Sequence, residues 1–571
     1  MNYDKYPETK IIGFDDDVFE NQQQIKEKIM TYKSYEDFCL TVECYPGVDD
    51  EILDLIQDVY EPRFVIRSED IFYDKDKLNE MMASHLTDDR VRGVMYYGKM
   101  EDFVDDKKLE AMKEVAKSHG RILIYGVGAS LISRGDIYIY CDLARWEIQC
   151  RYRKGMPNFK QDNNDEDSLR KIKRGFFIEW RIADKQKMKM FDDIDYLLDS
   201  NIKNQPKMIT GEALREGLKQ IAKQPFRLVP YFDPGVWGGQ WMKEVCGLDS
   251  KQDNYAWSFD GVPEENSLYL RYGQTRIEIP AMDLVLYQPV ELLGMKNYCR
   301  FGAEFPIRFD FLDTMGGQNL SLQVHPLTEY IKSHFGMTYT QDESYYILDC
   351  QNGGGVYLGL KDNISPDQMI QDLKTAQAGK DKFHADKYVN FFEAKKHDHF
   401  LIPAGTIHCS SANCMVLEIS ATPYIFTFKL WDWDRVGLDG KPRPIHIEDG
   451  KKVIRYDRTT KWVEENLVNN FNVIEDNDDY KEVKTGLHEL EFIETHVIST
   501  SKSVEIKSDK EVTMLNLVDG KQAIIKSSND SFEPYKVHYA ETVIVPANAG
   551  SFIIEAVDSE FIKVMKAKVR N

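Results

Sequence analysis

Basic charge is in short supply in this sequence. Against 95 acidic residues stand 73 lysines and arginines, for a formal net charge of −22 over 571 residues. General nucleic-acid binding needs a basic footprint, so that class is excluded, and the acidity reads as charge that keeps the protein dispersed. Cysteine is sparse and unpatterned. The nine residues include no CxxC pair and no dense framework, which excludes a disulfide scaffold and fits thiols kept reduced. No apolar run approaches the length of a membrane span. The segment Met1-Asn-Tyr-Asp-Lys-Tyr-Pro7 has no apolar core of a signal peptide. Cytoplasmic residence, with no membrane partner, is the expectation. A Walker A loop is missing as well: Val42-Glu-Cys-Tyr-Pro-Gly-Val-Asp-Asp50 follows a strand pattern where such a loop would sit, without G-K-[ST].

Hydrophobic residues make up 42% of the chain, enough for ordinary cores in about two to four domains. Residues 1–225 read as a three-layer α/β domain with a parallel sheet. Helical periodicity over Gln22 to Tyr32 and Lys108 to His119 alternates with apolar strands at Phe38 to Val42 and Arg121 to Tyr125. The last of these runs into Gly126-Val-Gly-Ala-Ser130, a pattern able to cradle phosphate on backbone N–H groups. With no third glycine and no lysine, it reads as a tight turn. Residues Asp136, Asp142, Arg145 and Arg151-Tyr-Arg153 resemble the later half of uridine-kinase-type P-loop domains, which implies a kinase-like fold without kinase chemistry. Arg170-Lys-Ile-Lys-Arg174 reads as a solvated helix or loop face, and Lys185 to Lys223 as a helical linker.

From Leu228 the texture changes to short strands punctuated by Gly, Pro and Asp, such as Ser267 to Tyr272 and Ala281 to Tyr287. This predicts a jelly-roll domain over residues 226–480. A helical insertion at about 361–395 interrupts it: Ser365 is placed as N-cap, Pro366 at the first helical position and Gly379 as the stop. The acidic run Glu475 to Asp479 reads as the end of this domain. Residues 481–571 alternate apolar and polar and predict a smaller β-sandwich. There Val545-Pro546-Ala-Asn-Ala-Gly550 echoes Ile402-Pro403-Ala-Gly405 without a following histidine, so no metal is expected in it.

The chemistry concentrates in three stretches. In Ser321-Leu-Gln-Val-His-Pro326, strand period points Gln323 and His325 to one face. Asp342-Glu343-Ser-Tyr-Tyr-Ile-Leu-Asp349 offers a carboxylate, and Leu401-Ile-Pro-Ala-Gly-Thr-Ile-His408 a second imidazole. Gln323, His325, Glu343 and His408 read together as a metal site built from neighbouring strands, with the metal left open by ligand type. His397 and His399 read as a solvated turn, and His446 as a residue that shapes the pocket.

These stretches come in order with Pro230-Tyr-Phe-Asp-Pro-Gly-Val-Trp-Gly-Gly239, Ala256-Trp-Ser-Phe259, Phe305-Pro306 through Asp313, Trp431-Asp-Trp-Asp-Arg435 and Gly440-Lys-Pro-Arg-Pro-Ile-His446. From about Arg227 onward the set resembles the class I phosphomannose isomerases, zinc-dependent cupin enzymes that interconvert mannose 6-phosphate and fructose 6-phosphate through a cis-enediol. The resemblance implies a cupin fold for the central domain and a cupin-like C-terminal sandwich, and one zinc per chain on Gln323, His325, Glu343 and His408. It implies a small sugar phosphate as partner, with Trp237, Ser321, Arg435 and Arg443 as substrate contacts. Two positions depart from the family. Lys429 stands where the family's catalytic arginine is expected, keeping the charge without the planar fork. Gln341 stands where the family tends to carry a lysine. Turnover of another, unphosphorylated sugar, or metal-dependent sugar sensing without turnover, remain alternatives at this stage.

Overall fold

The structure, a computed structural model, describes residues 2–421, 426–438, 440, 443–486 and 488–570. The chain forms two compact units: Glu8–Ile221 with Ser267–Gln288, and Met1–Pro7 with Ala222–Asn266 and Pro289–Asn571.

The first unit carries a seven-stranded sheet. Its order is Val18–Phe19, Lys207–Thr210, Tyr196–Asp199, Ile137–Asp142, Phe38–Cys44, Arg121–Gly126 and Phe64–Arg67. The last five are parallel, and Lys207–Thr210 and Val18–Phe19 add antiparallel pairings at one edge. Parallel strands buried on both faces demand near-continuous apolar runs, which Leu123 to Tyr125 and Tyr138 to Cys141 supply.

Local patterning misplaced three segments of this unit. Ser267–Tyr272, expected within the jelly roll, pairs in parallel with Glu8–Ile11 and antiparallel with Thr275–Pro280. Ala281 to Tyr287, expected as a strand, is the helix Met282–Tyr287; a short apolar run does not distinguish the two by period. The expected helical linker from Lys185 is the end of the helix Trp180–Met190, two strands of the sheet, and the helix Gly211–Ile221.

The basic run at 170–174 is not solvated. Lys171, Lys173 and Arg174 are buried. Lys171 Nζ donates to the carbonyls of Met156 and Asn164, Lys173 Nζ to those of Thr87 and Asp89, and Arg174 Nε to Glu179 at 2.8 Å. Buried cations persist only when so paired.

The second unit holds two β-sandwiches. In the central one, a six-stranded antiparallel sheet runs His399–Ile402, Asp342–Cys350, Cys414–Ala421, Arg308–Asp313, Trp257–Gly261 and Tyr231–Asp233. It faces a five-stranded antiparallel sheet ordered Val389–Glu393, Gly355–Leu360, His408–Ser410, Leu322–Val324 and Phe428–Trp431. The inserted helix is Pro366–Gln377, with Ser365 Oγ accepting from the Gln368 N–H. The C-terminal sandwich pairs a six-stranded and a four-stranded sheet around Ile498, Leu515, Leu517, Val543, Ile554 and Ile562. The acidic run at 475–479 does not end the central domain. It closes a hairpin of the C-terminal sandwich between Asn472–Asp476 and Tyr480–Gly486. Buried Arg227 joins the two sandwiches through Glu541 at 2.9 Å and Asp260 at 3.4 Å.

Candidate metal centre

The centre forms where the two sheets of the central sandwich face each other. Gln323 is the register partner of His408 on one side and of Lys429 on the other. Directly opposed residues share a face, so three neighbouring strands present His408, Gln323 and Lys429 as one row. His325 lies two residues along on the same face as Gln323. Glu343 arrives from the opposite, six-stranded sheet, where it opposes Ser420 and Ile402.

The ligand atoms of His325, Glu343 and His408 all lie within 4.8 Å of one another, and all three residues are buried. His325 Nε2 is 3.1 Å from Glu343 Oε2, and His408 Nε2 is 2.7 Å from Glu343 Oε1. Yet neither His325 Nε2 nor Glu343 Oε1 has a partner in hydrogen-bond geometry. These atoms converge on a common point, as ligands do, instead of lying along N–H···O lines. The other ring nitrogens are occupied: His325 Nδ1 sits 2.9 Å from the Phe426 carbonyl oxygen, and His408 Nδ1 2.9 Å from that of Thr406. Each ring donates Nδ1–H to its carbonyl, which fixes the tautomer and leaves Nε2 bare for a metal. Gln323 ends 3.2 Å from His408 Nε2; turned about its last bond, its amide presents the oxygen to the same point. Two imidazoles, a carboxylate and an amide oxygen fit a divalent ion of the zinc type.

Electrostatics couple the same three residues. Burial opposes charging of His325, but the Glu343 carboxylate outweighs it and holds His325 above its ordinary value. Burial also works against the Glu343 carboxylate, and the two histidines overcome it, holding its pKa well below the usual range.

Around the centre the structure distributes the expected residues unevenly. Gln341 is buried, and its Nε2 donates to Glu343 Oε2 at 2.9 Å and to Glu418 Oε1 at 3.4 Å. Its Oε1 accepts the Phe426 N–H at 2.7 Å. Where a lysine was anticipated, a neutral amide thus braces Glu343. Ser321, Arg435 and Arg443 meet at the buried Asp432: Ser321 Oγ donates at 2.6 Å, Arg435 Nη2 at 2.9 Å and Arg443 Nη1 at 3.0 Å. Two guanidinium groups on one carboxylate leave a net positive charge. Trp237 is not available to a substrate. It is 1% exposed, packed edge-to-face on Trp257 with ring centroids 4.8 Å apart. His399 is buried with neither ring nitrogen hydrogen-bonded, and burial pushes its pKa down to about 3. The solvated turn expected at 397–399 therefore ends at His397, whose φ is +77°.

Glu418 was not singled out by the sequence. It opposes Tyr345 and Asp310 in the six-stranded sheet, on the face that carries Glu343. Burial, then the charges of Glu343 and Asp310, raise its pKa well above the ordinary value beside the centre. The available signal was a lone acid inside the apolar strand Cys414–Ala421, all of it buried. Arg308, 1% exposed and bonded through Nε to Asp310 at 2.6 Å, shares this face.

An antiparallel sandwich with a His–Glu–His centre and a clamped glutamine is the class that the fold and the site define. This chain is similar in sequence to proteins named mannose-6-phosphate isomerase. The mannose-6-phosphate isomerase ManA of Bacillus subtilis is 24% identical over 341 residues, 59% of this chain and 97% of that protein. The probable mannose-6-phosphate isomerase GmuF of the same organism is 26% identical over 235 residues, 40% of this chain and 68% of that protein. Among solved structures, the mannose 6-phosphate isomerase of B. subtilis matches 60% of this chain and 99% of its own, with a TM-score of 0.49 and 16% identity. A zinc-bound mannose 6-phosphate isomerase matches 61% of this chain and 100% of its own, at 0.47 and 13%. Residues 21–223 match a family described as a domain of unknown function (DUF8485). Among the described residues, no helix is long and apolar enough to cross a membrane.

Proposed function

We propose that the central sandwich is a zinc-dependent aldose–ketose isomerase interconverting mannose 6-phosphate and fructose 6-phosphate through a cis-enediol, with one zinc per chain. The observation that carries this reading is the convergence of His325, Glu343 and His408, with both rings locked by Nδ1–H bonds to carbonyls. His325, Glu343, His408 and Gln323 would hold the ion. When bound, it supplies a Lewis acid for the sugar carbonyl and the oxygens of the enediol.

The chain's own groups do the rest. Lys429, in the row with Gln323 and His408, brings positive charge to the face where the enediolate oxygen develops. Glu418, on the Glu343-bearing face of the six-stranded sheet, is the carboxyl group on the opposite wall that could carry a proton during the transfer between C1 and C2. Ser321 lies two residues from Gln323, about 6.6 Å along a strand. Its cluster with Arg435, Arg443 and Asp432, net positive, suits the phosphate of a small sugar phosphate held with its carbonyl end at the centre.

The test is turnover of mannose 6-phosphate by the metal-replete protein, with His325→Ala as control. Activity abolished in the variant supports the reading; no turnover despite one bound metal per chain rejects it. A second reading, the same reaction on an unphosphorylated sugar, is favoured by Gln341 at the expected lysine position and by the pairing of both arginines with Asp432. Comparison of kcat/KM for mannose and mannose 6-phosphate separates the two.

A further inference from the structure

We propose that Cys350 and Cys414 are a site of reversible oxidation, forming a cross-strand disulfide when the protein meets a peroxide. The two residues are direct partners in the antiparallel ladder of Asp342–Cys350 and Cys414–Ala421, and their Sγ atoms stand 3.2 Å apart. Directly opposed residues in such a ladder have Cα atoms about 4.5–5.5 Å apart. A disulfide requires about 4.4–6.8 Å, so the bond closes without moving the backbone. The turn that follows is shaped around the sulfurs. A Cβ on Gly354 would lie 2.7 Å from Cys350 Sγ and 2.9 Å from Cys414 Sγ, so only glycine fits there.

The two thiols differ in access, which assigns their roles. Cys350 is half-buried and Cys414 is buried. The hydrogen bond with Cys414 holds the Cys350 thiol below its usual range, which favours the reactive thiolate. Cys350 Sγ attacks one peroxide oxygen; the O–O bond breaks, the other oxygen leaves as hydroxide, and Cys350 becomes a sulfenic acid. Cys414 Sγ then attacks Cys350 Sγ, the S–O bond breaks, and a second hydroxide leaves. The two thiol protons complete two waters, and two electrons have passed from the sulfur pair to the peroxide. A dithiol reductant reverses the bond by exchange. Cys44 and Cys141 are also register partners, in the parallel sheet, but both are buried, which gives an oxidant no entry.

The experiment treats the full-length protein with hydrogen peroxide, then alkylates it after denaturation. The chain has nine cysteines; nine minus the bridged pair leaves seven thiols to alkylate, returning to nine after reduction. A peptide map should join the segments containing Cys350 and Cys414. Cys414→Ser should stop at a sulfenic acid on Cys350, captured by dimedone. Cys350→Ser should show no peroxide-dependent loss of thiols. Nine alkylatable thiols after peroxide, a bridge mapped to any other pair, or an equal loss in Cys350→Ser would overturn the proposal. If either serine variant does not fold, the wild-type map decides alone.

Discussion

Two polar places in this molecule look alike from a distance and behave in opposite ways. In the first unit, the turn Gly126-Val-Gly-Ala-Ser130 ends a parallel strand, the position where open α/β sheets bind ligands and where backbone N–H groups form an anion nest. Here the nest holds the chain's own Glu43, which accepts from the Gly128 N–H at 2.5 Å, the Ser130 N–H at 2.8 Å and the Ser130 hydroxyl at 2.7 Å. Nearby, Lys187 is bonded to Asp142 at 2.5 Å and to Asp283 at 2.7 Å, all three buried, so that each charge has a partner of opposite sign although Asp283 Oδ2 accepts no hydrogen bond. In the central sandwich, by contrast, His325 Nε2 and Glu343 Oε1 are buried within a converging cluster and have no hydrogen-bond partner. A polar cluster that completes itself holds a fold together. One that leaves converging buried atoms unmatched is a candidate site for something from outside.

The largest expected effect is on the unmatched side. Glu343→Ala removes the only carboxylate of the His–Glu–His set, and tightly bound metal, measured by elemental analysis, should fall by more than about 100-fold in affinity, beyond the loss typical of outer-shell changes. Retention of one tightly bound ion would erase the distinction drawn here. The self-completed side should respond in stability. Lys187→Met leaves Asp142 and Asp283 buried without their cation, which costs about 3–5 kcal/mol, read by denaturant unfolding. Metal content should not change.

Glu43 sharpens the contrast through pH. Burial raises its pKa to about 6, against an ordinary 4.5, and the hydrogen bonds from Ser130 and Gly128 only partly offset this. The folded state therefore binds more protons than the unfolded one between those values, so this group's contribution favours folding at low pH and declines as pH rises from about 4.5 to 6. The 1.5-unit shift amounts to about 2 kcal/mol. Glu43→Gln should remove that slope, so the stability difference between variant and wild type should change across this window and stay level above it. A parallel pair of curves would show that the nest does not hold the carboxyl as described.

How much of this was legible in the sequence follows the same division. The convergence of the candidate ligands could be read because each lies in a local motif whose strand period fixes its face: Gln323 and His325 alternate with Leu322 and Val324, and the register then brings His408 opposite Gln323. Glu418 is hidden because its strand looks like core, and only the pairing of strands distant in sequence reveals that its face, shared with Arg308, is the one lining the centre. Lys171 and Lys173 misled for the same reason, since the carbonyls that bury them come from residues 87, 89, 156 and 164. The hairpin at 267–280 joins a strand at residues 8–11, a pairing that no local pattern announces. Local period identifies faces, whereas satisfaction of a buried charge is a long-range property.

The smallest effect concerns strain beside the proposed substrate cluster. Trp433 and Asp434 are consecutive non-glycine residues with φ of +58° and +57°, and the turn they form brings the Arg435 N–H to the Asp432 carbonyl at 3.1 Å. A left-handed conformation costs a residue with a Cβ about 1–2 kcal/mol, while glycine adds about 0.5–1 kcal/mol of unfolded-state entropy. Asp434→Gly should therefore raise stability by no more than about 1.5 kcal/mol. If the tension serves to hold Arg435 and Arg443 on Asp432, the same change should weaken binding of a phosphorylated sugar while leaving an unphosphorylated one unaffected. Strain without that consequence would belong with the self-completed half of the molecule, as a feature of folding alone.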